Sequence, residues 1–421
     1  MSTDAASRKG LSAVKGTHDI LPGEVELWQR VEADVRRLCE LYGFRELRAP
    51  VIESTELFVK GTGATSDIVT KEMYTFVDKG GRSITLRPEY TPSVARAIIE
   101  HHLHLQGGPM RYYYFGPMFR YDKPQKGRYR QFHQIDVEIF GEKDPAVDAE
   151  LVEMADALLS GLGVRGTETL VNSVGCRACR PAYSNELRAH AAGVRELLCG
   201  DCQRKIETNP LRVFDCKVDS CRDQVARFPK IRDYLCQACK DDFERFVGYL
   251  DRYKLSYKVD PDLVRGLDYY TRAIFEVVHT SLGGQQNALL GGGRYDDMMR
   301  DFGGPDITGT GFAMGMERLI SVVDLPPIPR RFLYIAYRGD AGKGKAVELA
   351  RFFRQAGVEA IVEFAARGLR NQFARANKLD AAWVLVAGEE EIAKGIYQLK
   401  DMTTGAQTPG TPEDLVKLVR Q

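Results

Sequence analysis

Between Pro22 and Gly43 the apolar residues Leu27, Val31, Val35, Leu38 and Leu41 recur at spacings of three and four. That period predicts a helix with one apolar face, opened after the proline and closed by the glycine. A strand-like stretch ending in Thr85-Leu86-Arg87 follows. Thr91-Pro92 reads as an N-cap with proline at the first helical position, and the helix runs through Val94, Ala95, Ile98 and Ile99. Residues 111 to 141 have the pattern of a long hairpin, with arms at 112 to 120 and 132 to 140 and a polar, basic loop between them. In the second arm the period is two. Ile135, Val137 and Ile139 point one way, and Gln134, Asp136 and Glu138 point the other. A polar row on such a strand either faces water or lines a site.

The texture changes from Cys176 to Cys239, where eight of the nine cysteines lie. This stretch reads as an inserted module. Strand-like sequence resumes at Leu263 and continues to Val278, and Gly291, Gly292 and Gly293 suggest a tight turn. Residues 311 to 313 read as a strand leading into a helix near Met316. The proline-rich stretch from Asp324 to Arg330 is an expected domain boundary. Beyond it strands at 332 to 337, 360 to 364 and 383 to 386 alternate with helices ending at Gln355 and Lys378. That order predicts a small α/β domain with a largely parallel sheet. The expected divisions are 1–172 and 259–325 for a split main domain, 173–258 for the insert and 331–421 for the last domain.

The chain has 421 residues, 44% hydrophobic and 28% charged, the balance of a globular protein. No apolar run approaches the ~20 residues that span a bilayer, so no membrane association is expected. The first ten residues are polar and lack the apolar core of a secretion signal. They read as a loose tail on a cytoplasmic protein. Net charge is only +1, but the stretch 118 to 134 carries Arg120, Lys123, Lys126, Arg128 and Arg130 against the single acid Asp122. Anion binding needs such local positive potential rather than a basic whole. From Arg330 to Gln421 there are 15 Lys and Arg against 11 Asp and Glu, consistent with an ordinary mixed surface. His101 and His104 share a helical face, but they read as the exposed end of a helix.

Six stretches carry the chemistry. In chain order they are Lys15-Gly-Thr-His-Asp19, Arg87-Pro-Glu-Tyr-Thr91, the stretch from Phe119 to Gln134, Val264-Arg-Gly-Leu-Asp-Tyr-Tyr270, Gly291-Gly-Gly-Arg-Tyr-Asp296 and Gly311-Phe-Ala-Met-Gly-Met-Glu-Arg318. Together they resemble the class II motifs and histidine signatures of histidyl-tRNA synthetases, from about Val14 to the C-terminus.

The resemblance implies an α+β fold, with an antiparallel sheet of six to seven strands flanked by helices. It also implies an inserted Cys-rich helical module and a C-terminal α/β domain that reads the anticodon. A homodimer is implied, with an interface strand near residues 49 to 53. The implied reaction activates L-histidine with ATP and Mg2+ and loads it onto tRNA(His). The alternative is a catalytically silent paralogue that regulates ATP phosphoribosyltransferase. Such relatives usually lack the C-terminal domain and the Arg265 to Tyr270 signature.

By resemblance Arg120 bridges the amino-acid carboxylate and the α-phosphate, a task suited to a planar guanidinium fork. Arg265 takes the place of a metal ion opposite it. Glu138, Tyr269 and Tyr270 belong to the histidine pocket with Arg120 and Arg265, while Glu89, Thr91 and Gln134 hold the ammonium. Thr91 can also cap its helix. Asp122, Arg128, Phe132 and Arg318 serve ATP with Arg120, and Phe132 stacks on the adenine. Asp122 stands where the family usually has a glutamate. Lys123, Gln125 and Lys126, toward the loop tip, meet the tRNA acceptor end. Asp268 reads as structural.

The cysteines form pairs at Cys176/Cys179, Cys199/Cys202, Cys216/Cys221 and Cys236/Cys239. Taken in sequence order they make two sets, the first two pairs and the last two, with the spacing of zinc knuckles. The other reading is a helical insert with free buried thiols. Cys39 on the first helix is expected to be a core thiol.

Overall fold

The structure, a computed structural model, describes residues 11–125, 127–282, 287–326, 330–365 and 367–420. The N-terminal tail, Lys126 and part of the proline-rich linker lie outside the described residues. The chain divides into two compact units, 1–326 and 327–421. Among the described residues no helix is long and apolar enough to cross a membrane.

The first unit is built on an eight-stranded sheet. In spatial order its strands are Arg45–Glu46, Met110–Phe119, Gln131–Phe140, Gly309–Gly315, Ala288–Arg294, Thr271–His279, Thr167–Ser173 and Lys258–Val259. The six central strands pair antiparallel, and each two-residue edge strand pairs parallel with its neighbour. The sheet is therefore wider than the six to seven strands expected, because two short edge segments add to it.

Helices Val25–Leu41, Ala146–Gly161 and Gln237–Tyr253 contribute Val31, Val35, Leu151, Leu158, Phe246 and Leu250 to a core shared with Ile135, Val137, Ile139 and Phe312 of the sheet. In the first helix the buried stripe is Trp28, Val31, Val35 and Cys39, so the predicted face holds at its two valines and is shifted away from its leucines. Leu27 and Leu38 flank it, and Leu41 has rolled round to solvent. The Cys39 thiol is in the core, where burial pushes it up to about 12. Below the core, Arg294 pairs with Asp148 at 2.6 Å, with both side chains almost fully buried.

Three local expectations fail. Strand structure begins at Thr271, not Leu263. The glycine run 291–293 is not a turn but part of the central strand Ala288–Arg294. Thr91 does not cap its helix: Tyr90 holds that position, and the Thr91 hydroxyl is turned toward Glu138.

The Cys-rich module leaves the sheet after Thr167–Ser173 and returns at Lys258–Val259, which pairs beside it with Leu170 opposite Lys258. Helices Arg180–Ala192, Gly200–Thr208 and Asp219–Val225 enclose its own core of Tyr183, Leu187, Ile206, Val213, Phe228 and cysteine side chains.

In the second unit Ala360–Val362, Leu333–Tyr337 and Trp383–Ala387 are parallel, as the alternating pattern implies. Tyr397–Asp401 and Gln407–Gly410 then extend the sheet antiparallel. Their turn is held by Asp401, whose Oδ1 accepts from the amides of Thr403 and Thr404 at 2.8 and 2.7 Å.

Candidate active site

The face of the sheet opposite the helical core is not solvated. It forms the floor of a cleft of about 350 Å³, within the usual size range for small-molecule sites. The period-two row decides this. Ile135, Val137 and Ile139 face the core, and register places Gln134, Asp136 and Glu138 opposite Gly315, Ala313 and Gly311 on the neighbouring strand. The small partners leave space above the strand. A β-carbon at residue 311 would lie 2.0 Å from Glu138 Oε2.

One end of the cleft collects acceptors. Glu138 takes hydrogen bonds from the hydroxyls of Thr91 and Tyr295. The Tyr269 hydroxyl donates to Glu89 Oε2 at 3.2 Å. Among the described residues Glu89 Oε1, Gln134 Oε1 and Asp136 Oδ2 are buried with no partner. Burial pushes the Glu89 carboxyl up to about 7. Burial, reinforced by Glu89, holds Asp136 well above the usual carboxylate range, and burial raises Glu138 likewise against its two hydrogen bonds. Crowded acids with unfilled oxygens form a receptor for a cationic, hydrogen-donating group.

The other end collects guanidiniums. Arg120 Nε donates to the Pro88 carbonyl at 2.8 Å, and its guanidinium lies 5.2 Å from the centre of the Phe132 ring. Arg318 is anchored by the carbonyls of Ala288 at 2.8 Å and Gly127 at 3.2 Å. Burial lowers Arg318 from its ordinary value, and repulsion from Arg128 and Arg120 lowers it further. Arg128 is paired with Asp122, and Glu72 is 3.9 Å away. Such a cluster of like charges is relieved by an anion.

Arg265 joins the two ends. It lies in the loop before Thr271–His279, pairs with Glu276 and keeps a buried Nε without a partner among the described residues. Its guanidinium lies flat on Gly291, where a β-carbon would be 2.1 Å away. Gly291 is therefore a strand position stripped of its side chain to admit an arginine, whereas Gly292 and Gly293 pack against Phe275, Phe312 and Ile274.

All twelve residues assigned from sequence to histidine or ATP line this one cleft. Lys123 and Gln125 do not; they are exposed on the loop beyond it. Sequence reading gave no role to Asp136, Tyr295 and Glu276. The first was visible in the polar row and the second in the Gly291 to Asp296 motif. Glu276 had no local signal. Arg212, Asp215 and Lys217 of the insert also line the cleft, brought there by tertiary contact. Arg212 reaches Asp67 at 3.3 Å and Asp268 at 3.6 Å. Asp268 also accepts from Asn209 at 2.8 Å, so it is a structural acid as read.

The cysteines group differently from the sequence-order reading. Cys176, Cys179, Cys236 and Cys239 form one cluster and Cys199, Cys202, Cys216 and Cys221 the other, each with its sulfurs within 4.8 Å of one another. The outer pairs meet because the insert folds back on its own neck. His101 and His104 belong to no such group among the described residues.

Comparison with known proteins agrees with this geometry. The sequence model of histidyl-tRNA synthetases matches residues 16–180 and 203–319, and that of an anticodon binding domain matches 333–421. The chain is 45% identical over 401 residues to the histidine–tRNA ligase of Syntrophotalea carbinolica, covering 95% of this chain and 96% of that one. It is 47% identical over 407 residues to that of Solibacter usitatus, covering 96% and 98%. Its fold is similar to the apo histidyl-tRNA synthetase of S. aureus, with a TM-score of 0.83 and 35% identity over 98% of this chain and 100% of that one. With an acceptor-lined pocket beside an arginine cluster and relatives matched almost end to end, the chain belongs to the histidyl-tRNA synthetase family.

Proposed function

We infer that this chain activates L-histidine with ATP to histidyl-adenylate and passes the histidyl group to the 3′ end of tRNA(His). The observation that carries this reading is the division of one cleft into a carboxylate end and an arginine end, bridged by Arg265. Histidine sits with its ammonium toward Glu89, Thr91 and Gln134 and its ring toward Glu138, Tyr269 and Tyr270. ATP lies toward Arg318, Arg128 and Asp122, with adenine on Phe132. A carboxylate oxygen of histidine then attacks the α-phosphorus as the bond to pyrophosphate breaks.

Arg120 and Arg265 supply preorganised charge on both sides of that phosphorus, so no reorganisation is needed as charge develops. Mg2+ accompanies ATP, and the carboxylates of Glu72, Asp122 and Glu317 on the cleft wall are the oxygen donors that suit it. The insert's thiols are ligands of structural zinc. Lys123, Gln125 and Lys126 meet the acceptor end of the tRNA, and residues 331–421 read the anticodon. The working enzyme is a cytoplasmic homodimer.

Histidine-dependent exchange of labelled pyrophosphate into ATP tests the chemistry. Exchange with histidine, and not with other amino acids, is expected. No exchange by folded protein would leave the regulatory paralogue as the better reading.

A further inference from the structure

The eight insert cysteines are arranged for metal. Within the clusters Cys176 and Cys179 are 3.7 Å apart, Cys176 and Cys236 are 3.9 Å apart, and Cys199 and Cys216 are 3.7 Å apart, sulfur to sulfur. A disulfide needs about 2.05 Å. Four thiolates at about 2.3 Å from a tetrahedral zinc have edges of ~3.8 Å. Six of the eight stand where helices begin. Cys179, Cys199 and Cys236 hold N-cap positions, and Cys202, Cys221 and Cys239 lie in first turns. Helix N-termini favour negative charge. The Cys236 amide donates to Cys179 Sγ at 3.1 Å, which suits a thiolate more than a thiol.

The outer cluster is tied to the histidine-binding loop from both sides. Arg180 directly follows Cys179, and its guanidinium donates to the carbonyls of Val174, Asp268 and Tyr270. Arg272 lies two residues after Tyr270. It is 3.9 Å from Cys239 Sγ and is paired with Asp242 on the same helix and with Asp296 at 2.9 Å. Gly175 packs so closely on Cys179 that a β-carbon there would lie 2.9 Å from the cysteine's own. A site of four thiolates and one Zn2+ carries net negative charge, which these two arginines offset.

We propose that the insert binds two zinc ions in nested sites and that the outer ion is a positioning device for the histidine loop. The outer ion takes Cys176, Cys179, Cys236 and Cys239, and the inner ion takes the other four. Zinc at the neck fixes where the two flanking helices start, and through Arg180 and Arg272 it fixes Tyr269 and Tyr270. The loop assignment rests on the histidine site proposed above.

The test uses the full chain. Metal analysis should find two zinc ions per chain, falling to one in Cys236→Ser and in Cys221→Ser. In pyrophosphate exchange Cys236→Ser should raise KM for histidine roughly tenfold or more, with KM for ATP little changed. Cys236→His, which restores a zinc ligand, should recover the ion and most of the affinity. If Cys236→Ser does not fold, chelation of the wild type followed by zinc readdition gives the same reading, because KM for histidine should rise and return.

Folded, active wild-type enzyme with eight titratable thiols and no zinc, or with iron instead, overturns the metal assignment. Two zinc ions with an unchanged histidine KM after outer-site loss overturns the positioning role. Absence of histidine-dependent exchange in zinc-replete wild type is a failure of the proposed activity instead.

Discussion

Gly291→Ala separates the position of Arg265 from its charge. The new β-carbon would meet the guanidinium at 2.1 to 2.2 Å, where ordinary contact begins at 3.4 Å. The guanidinium must withdraw by more than about 1 Å, and a displacement of that size at a reacting centre costs about 10²-fold. The corresponding barrier is about 2.7 kcal/mol. The paired strands on either side place Glu276 and Ala313 opposite Gly291, so the sheet leaves little room for the strand itself to yield.

Steady-state pyrophosphate exchange should show kcat lowered about 10²-fold with KM for ATP nearly unchanged. Arg265→Gln should lose roughly 10²- to 10³-fold. Because the alanine acts through Arg265, the double variant should be no worse than Arg265→Gln alone. Overpacking also costs about 1–3 kcal/mol of stability, so thermal unfolding is followed beside the assay. Exchange within threefold of wild type in Gly291→Ala, or losses that multiply in the double variant, would refute the reasoning.

Thr91→Val removes a hydroxyl donor from buried Glu138 and should weaken histidine binding by about 1–3 kcal/mol, read as KM, with ATP affinity retained. Burial raises Glu89 from 4.5 to about 7, so its ionised form, the one that holds an ammonium, appears as pH rises through about 7. Histidine affinity should therefore rise across that range by more in wild type than in Glu89→Gln, which cancels titration of the substrate itself; parallel profiles would discard this role. The same raised value favours the protonated native state, so Glu89's contribution to stability is present below about 4.5 and is lost between 4.5 and 7. Lys123→Ala and Lys126→Ala should slow transfer to tRNA while sparing exchange, with a smaller loss at high salt; equal loss in both steps would assign the loop to ATP. Asp148→Asn strips the charge partner from buried Arg294 and should cost about 3–5 kcal/mol in denaturant unfolding, and a cost below 1 kcal/mol would mean the pair is relieved elsewhere.

Short-range pattern was enough to announce the family and most of the residues that line the cleft. The alternation of Gln134, Asp136 and Glu138 with Ile135, Val137 and Ile139 is set by strand geometry alone, so the polar row was visible before any fold. The arginines and acids of the six motifs could be listed for the same reason: each motif is a contiguous stretch whose chemistry survives without its neighbours.

What needed tertiary structure was every choice between partners distant along the chain. Cys176 meets Cys236 rather than Cys199 because the insert's last helix packs into the main core, bringing its start back to the neck. Gly291 to Gly293 carry the composition of a turn, and only their tertiary neighbours explain a glycine-rich central strand: the Arg265 guanidinium on Gly291, Phe275 and Phe312 on Gly292, and Ile274 on Gly293. Thr91 has the sequence of a cap, but Glu138, 47 residues away, offers its hydroxyl a buried carboxylate. Arg212 and Lys217 carry no motif at all; they enter the cleft because the insert folds over it. Local sequence determines which groups are available and which face of an element they share. Chain closure, which depends on the packing of the whole unit, decides which of them meet.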